Sequence, residues 1–443
     1  MNRLAKLLIG IVFTVSLALP HSGAAAPPIV FNSNDYHALA DADSAATIPP
    51  GTRITTANWR LYKQFMTIWM RAAYEGQYHW HIEPGKPEYD VVVAPANHYP
   101  MPAKFVEDTA KYGGQARLER IPSGGYTWSG YVAGLVFPDP REPDLGIKIL
   151  YNSWAGFSPM IEHWTSEGWA IDKYGNVGGS RSNGTGYRLA HLSEPGEPVN
   201  LPFANGIFGS TRFAVDSPEQ VKYFTELTLL YDDPTRLPEV YAFLPSLRRA
   251  LRLSAAAHCA PILGSDFVED DNNWLPSNYE VSVLGKKKVL MPIADPAKAY
   301  DPNSYVQKGG FPGWMKPTTG KWELRNFYVL DMQWLQARGA FCYSHRVLYV
   351  DYETWSRPLM GDFYDRNGKF WKANFSVAVP IDFRGQHTLI FPASISALMG
   401  LDFQNGHESK SVNAPYTLDE TVPGEYKDIE AMTSPGNLGS IMK

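Results

Sequence analysis

Apolar and polar residues alternate with period two over long stretches of this chain, most cleanly between Lys321 and Lys372. β-branched and aromatic residues fill the runs, and Arg338-Gly339 and Asn367-Gly368 interrupt them. That pattern predicts strands. Asn-Gly between two apolar runs predicts a hairpin, because a type I′ turn needs positive φ at both central residues. The stretch therefore reads as an antiparallel meander. From Trp322 to Met332, alternation places Trp322, Leu324, Tyr328, Leu330 and Met332 on one face. Glu323, Arg325 and Asp331 lie opposite, together with Phe327 and Val329. In the next run Phe341, Tyr343, Val347 and Tyr349 share a face.

Elsewhere the period changes. Trp59, Tyr62, Phe65, Met66, Trp69, Met70 and Ala73 recur at helical spacing, which predicts an amphipathic helix over 56–76 whose aromatic stripe is core. A short strand is expected over 89–94. Pro102 opens a second helix from Ala103, which Gly113-Gly114 stops. Residues 128–137, 147–154 and 160–173 read as strands, and the glycine-rich run 174–186 as a long loop. A strand ends at Pro245, and 279–291 reads as a hairpin turning at Gly285–Lys288. The expected organisation is a signal peptide over 1–25, a loose leader over 26–53, one β-rich domain over 54–405 and a loosely held polar tail over 406–443.

The fold class that follows is β-rich α+β, with N-terminal helices packed on or into a large, curved antiparallel sheet. So aromatic a sheet must cover its apolar face. With few helices to do so it would curl into an open barrel, filled either by its own side chains or by a ligand. The residues expected to line that interior are Tyr241, Phe243, Trp322, Leu324, Tyr328, Leu330, Tyr343, Val347, Tyr349 and Trp371.

Charge and motifs narrow the function classes. The 443 residues carry a net charge of -5, which argues against nucleic acid as a partner. Asn2, Arg3 and Lys6, then the apolar run Leu7–Leu19, then small residues up to Ala26, have the order of a cleavable signal peptide, with cleavage after Ala24 or Ala25. No Cys near that site offers a lipid attachment point. In an oxidising compartment Cys259 and Cys342 are a disulfide candidate, the alternative being two buried thiols. There is no Gly-x-Ser-x-Gly elbow, no His-Glu-x-x-His and no dinucleotide fingerprint, and no cofactor is implied. His79, His81 and Glu83 are the best metal candidates if extended, but two His at this spacing are common by chance. Asp351 with Glu353, and Asp362 with Asp365, are carboxylate pairs of the kind a glycosidase uses, yet at strand ends such residues usually make turns. Arg248, Arg249 and Arg252 form either an anion-binding patch or salt bridges to Glu269, Asp270 and Asp271.

Several segments together resemble a family of exported bacterial proteins known as domain of unknown function 1329, outer membrane lipoprotein-sorting protein-like. They are Tyr343-Ser-His-Arg-Val-Leu-Tyr-Val-Asp351 with Asp362–Trp371, Gly134-Leu-Val-Phe-Pro-Asp-Pro140 followed by Tyr151-Asn152, and Tyr241-Ala-Phe-Leu-Pro-Ser-Leu-Arg-Arg249. The helix from Ala103 is similar to the family's N-terminal helix, whereas Ile48–Gly51 departs from its usual start. The resemblance spans about 54–403. It implies a fold like the LolA and LolB lipoprotein carriers, an open barrel with an apolar cavity plugged by helices. It also implies a periplasmic protein associated with the outer membrane or with RND-type exporters. The partner so implied is a hydrophobic small molecule, lipid or lipidated protein. The family supplies no catalytic residues to carry over.

Overall fold

The computed structural model describes residues 30–442 apart from 77–89, 254–258, 260, 273, 301–319, 340 and 359–360. The signal-peptide segment and the His79–His81–Glu83 group therefore lie outside the described residues. In chain order the strands are β1 (Arg53–Ile54), β2 (Val91–Ala94), β3 (Arg117–Arg120), β4 (Tyr126–Ser129), β5 (Ile161–Ile171), β6 (Val177–Arg188), β7 (Ile207–Ser217), β8 (Thr225–Tyr231), β9 (Glu239–Leu244) and β10 (Arg249–Arg252). They continue as β11 (Tyr279–Ala294), β12 (Gly320–Trp334), β13 (His345–Asp351), β14 (Gly361–Tyr364), β15 (Phe370–Ala378), β16 (Ile381–Phe383), β17 (Gln386–Thr388), β18 (Ile395–Asp402), β19 (His407–Asn413) and β20 (Thr417–Leu418). The four longest α-helices are α1 (Ser33–His37), α2 (Ile68–Glu75), α3 (Ala103–Tyr112) and α4 (Leu145–Trp154).

Sixteen strands form one sheet, in the order β1-β2-β12-β13-β14-β15-β18-β19-β5-β6-β7-β8-β9-β10, with β11 on the other side of β12 and β20 beside β5. Pairing is antiparallel except for β2 with β12 and for one contact, Ile293 of β11 with Ala378 of β15. That contact makes β11–β15 bend round until their two ends meet. The sheet is strongly curved, not a barrel closed along its length.

The central meander follows its alternation, with local exceptions. The Asn367-Gly368 hairpin joins β14 to β15, but only Gly368 has positive φ (72°). The turn runs over five residues, pinned by the Asp365 carboxylate accepting from the Asn367 and Lys369 amides. The expected turn at Gly285–Lys288 is absent: β11 runs unbroken for 16 residues with a bulge between Val283 and Gly285. Lys287 and Lys288 point away from bulk water. Lys287 Nζ donates to the His37 carbonyl (3.0 Å) and Asp41 (2.6 Å), and Lys288 Nζ donates to the Ser44 and Ala46 carbonyls.

Those bonds correct the reading of 26–53 as loose. Its described part is docked, with Tyr36, Leu39 and Ile48 buried. The helix expected over 56–76 is two pieces. A 3₁₀ segment Trp59–Phe65 breaks at Met66, and Thr67, accepting from the Met70 amide, restarts the chain as α2. The run 406–443 is likewise not a loose tail. β19 lies between β18 and β5, and Ile429, Met432 and Leu438 are buried.

Two elements reverse their expected class. Residues 147–154 are helical: α4 buries eight of its ten residues, so its composition reports burial rather than strand. A Cβ on Gly146 would come within 2.6 Å of the Val281 carbonyl oxygen, so the helix rests directly on β11. Residues 177–186, expected as loop, belong to β6. Trp164 of β5 lies over Gly184, where a Cβ would be 2.2 Å from the indole, so the ring replaces the missing side chain. No helix among the described residues is long and apolar enough to cross a membrane.

Candidate functional site: the filled concavity

The concave side of β11–β15 presents Val289, Met291, Phe327, Val329, Val347, Tyr349 and Phe375, all essentially inaccessible. What covers them is the N-terminal chain, not a ligand-sized space. Tyr36, Trp59, Phe65, Met66, Trp69 and Ala73 belong to the same cluster. Trp69 stacks on Phe375 with centroids 3.9 Å apart and planes 8° from parallel. Burying an aromatic side chain of this size contributes about 3 kcal/mol or more.

The ten residues expected to line one interior are distributed over three clusters. Trp322, Val347 and Tyr349, with Leu324 alongside, pack in the concave core. Leu330 and Tyr343, with Tyr328 and Trp371 alongside, pack in a second core with α4. Phe243 and Tyr241 pack separately with Leu227, Tyr231 and Leu438. Alternation failed for Phe341 and Tyr343 because β13 begins only at His345, so the chain changes side before the strand. The cavities at Trp169 and at His191 are lined by none of the ten.

Polar groups inside the concavity are tightly organised. Asp362, fully buried, accepts from the hydroxyls of Tyr36 (3.0 Å) and Tyr349 (2.8 Å) on one oxygen, Oδ2. Tyr36 and Tyr364 share a further bond at 2.5 Å. Among the described residues Asp362 Oδ1 has no partner, nor do Nε and Nη2 of Arg71 on α2. Desolvation pushes the Asp362 carboxyl up to about 6, against the lowering effect of the tyrosine bonds. No sequence signal groups these residues, since Tyr36 lies 326 positions from Asp362.

The other carboxylate pairs have structural duties. Asp351 and Glu353 converge on buried Arg325, at 2.7 and 2.9 Å, beside Glu323 at 3.2 Å. Asp365 makes the β14–β15 turn. The arginines of the β9–β10 turn do not reach Asp270 and Asp271: Arg252 pairs with Glu239 at 3.0 Å. Asp271 instead accepts from Tyr343 and Asn374, and the Asp270 carbonyl accepts from Arg346. Cys259 and Cys342 are joined, with Cα atoms 5.4 Å apart. The Phe-Pro and Tyr-Asn segments meet as a unit, since Asn152 bonds both the amide and the carbonyl of Phe137 at 2.8 Å.

Residues 53–408 match the family described as "Protein of unknown function (DUF1329)". The chain belongs to that family. Among solved structures, this DUF1329 chain is similar to a candidate outer membrane lipoprotein-sorting protein domain from Vibrio parahaemolyticus. That likeness has 14% identity and a TM-score of 0.46 over 66% of this chain and 99% of the other. A DUF1329 family protein from Desulfovibrio piger gives 13%, 0.45, 65% and 98%. A LolA superfamily protein from Nitrosomonas europaea gives 10%, 0.35, 62% and 92%. No curated protein matches the sequence.

Proposed function

We propose that this DUF1329 protein is an exported carrier or chaperone for a hydrophobic molecule in the periplasm. The cargo class is a lipid, a lipidated protein or a hydrophobic growth substrate, and the carrier serves outer-membrane transport or an RND-type exporter. The observation that carries the reading is that the concave apolar face is covered by a separate piece of chain. Residues 33–75 come from the far N-terminal side of the sequence and have no strand in the concave meander beyond the two residues of β1. Such a cover can leave without unpairing β11–β15, and would expose Phe327, Val329, Tyr349 and Phe375 to cargo. The filled state is then the unloaded form, in which the protein's own side chains stand in for cargo and keep apolar surface from water.

Displacement sets the affinity. If cargo buries about 500 Å² of apolar surface, the gain is roughly 12 kcal/mol. Association and ordering cost on the order of 4–15 kcal/mol, so net binding is modest and release is feasible. A carrier must let go, and that balance suits it. The reading assigns no reaction and needs no cofactor.

The test is a tether. A disulfide engineered between α2 and β15 should abolish uptake of a fluorescent fatty acid and the co-purification of extractable lipid, with both restored by reductant. Equal uptake in the oxidised and reduced forms would refute the displaced-cover carrier.

A further inference from the structure

A second site lies far from the concavity in sequence and in packing. The β3–β4 hairpin, the turn after β6 and the turn after β8 enclose a cavity of about 290 Å³. Its aromatic wall is Trp128 and Tyr131, with ring centroids 4.9 Å apart. Tyr131 stacks on buried His191 at 4.3 Å.

His191 is held in a costly conformation. Its φ is 57°, a left-handed value that side-chain-bearing residues adopt at a penalty. Three bonds hold it there. Its amide donates to Asn200 Oδ1 at 3.0 Å, and its ring nitrogens lie 2.7 Å from the Val132 carbonyl and 2.6 Å from Asp232 Oδ1. The result is a fixed Asp232 carboxylate whose second oxygen, Oδ2, has no protein partner among the described residues. Asp233 beside it is fixed in the same way. Its Oδ1 accepts from the amide and hydroxyl of Thr235, and Oδ2 is left open. No Lys or Arg among the described residues lines the cavity; besides the two acids its polar lining is Thr127, Ser129 and the His191 ring already engaged by Asp232.

We propose that this cavity binds an organic ammonium ion, with the charged head on the open oxygens of Asp232 and Asp233 and the aliphatic stem against Trp128 and Tyr131. Two carboxylates and one occupied imidazole leave the lining negative, which selects a cation over an anion or a neutral polyol. Both open oxygens are hydrogen-bond acceptors, so a protonated primary amine satisfies them where a quaternary ammonium does not. Aromatic faces add cation–π attraction and cover the stem. This site needs no movement of the N-terminal cover, so it stands apart from the carrier reading.

The experiment uses the full-length protein titrated with n-butylamine at neutral pH, with 1-butanol as the neutral control. Saturation-transfer NMR and quenching of tryptophan fluorescence follow binding. Butylammonium should bind and butanol should not. Asp233→Asn, at an exposed position, should weaken binding about tenfold, the scale of one charge-assisted hydrogen bond. Asp232→Asn should weaken it at least as much. Tetramethylammonium should bind more weakly than butylammonium. Equal binding of amine and alcohol, unchanged affinity in Asp233→Asn, or no binding up to about 10 mM would overturn the proposal.

Discussion

Replacing Asp362 by Asn should change how stability depends on pH more than it changes stability itself. The carboxyl is fully buried and desolvation raises it to about 6, whereas in the unfolded chain it titrates near 3.9. The folded state therefore holds this proton more tightly than the unfolded state. The stabilisation from that is complete below about pH 4 and is lost as pH rises through 6. A separation of about two pH units, at about 1.4 kcal/mol each, gives roughly 3 kcal/mol lost from this one group between pH 4 and 7.5. The amide that replaces the carboxyl cannot ionise and still offers one acceptor to the hydroxyls of Tyr36 and Tyr349. Other titrating groups contribute equally to both proteins, so the difference between them isolates Asp362. The assay is urea unfolding of wild type and Asp362→Asn at half-unit steps from pH 4 to 8, followed by the fluorescence of the 13 tryptophans. The variant should gain on wild type by about 3 kcal/mol across that range, most of it between pH 5 and 7. Parallel stability curves would show that Asp362 does not carry a buried ionisation, and the account of the tyrosine cage would fall with it.

Four further outcomes follow from the same reasoning. Desolvation also raises Glu162 to about 8 and Glu194 to about 7, so the whole protein should melt higher at pH 5 than at pH 8.5; a melting temperature rising with pH across that range would contradict both. Replacing Cys259 and Cys342 by Ser should lower unfolding free energy by about 4 kcal/mol on the chain-entropy account, and thiol counting of the denatured, unreduced protein should find none free. Trp69→Ala should cost on the order of 3–5 kcal/mol in chemical unfolding, and a loss under about 1 kcal/mol would mean the cover over Phe375 is not packed as described. N-terminal sequencing of periplasmic protein should begin between Ala25 and Pro27, and recovery of an intact Met1 form from the cytoplasm would refute export.

How far the fold could be read beforehand depended on whether local pattern and tertiary environment agreed. β12 to β15 were legible because one buried face against one mixed face leaves a period of two. α4 was not, because a helix buried nearly all round loses its period and keeps only its Ile, Leu, Tyr and Trp. β6 was missed because its glycines signal loop until Trp164 is known to lie over Gly184. Lys286–Lys288 looked like a solvated turn, and only the docking of Asp41, Ser44 and Ala46 reveals why lysines stand inside a strand. Of the sites, the cysteine pair and the aromatic wealth of the meander could be anticipated. The division of the aromatics among three clusters could not, since alternation assigns a face but not what lies against it. Asp232 and His191 gave no motif, because 41 residues and two turns separate them.

The position of β19 has a consequence for how the chain comes into being. Among the described residues its seven positions supply the only ladder joining the β11–β18 half of the sheet to the β5–β10 half, from Ala397–Val412 on one side to Ser166–Asn413 on the other. A chain emerging N-terminus first carries β5 as an unprotected edge for more than two hundred residues before its neighbour exists. The cover of residues 33–75 waits as long for the meander it packs on. Folding that began early would meet only half-surfaces, with exposed strand edges prone to pair with other chains. The topology thus favours delivery of the complete chain before folding, and a nascent polypeptide kept unfolded by chaperones until its last forty residues arrive.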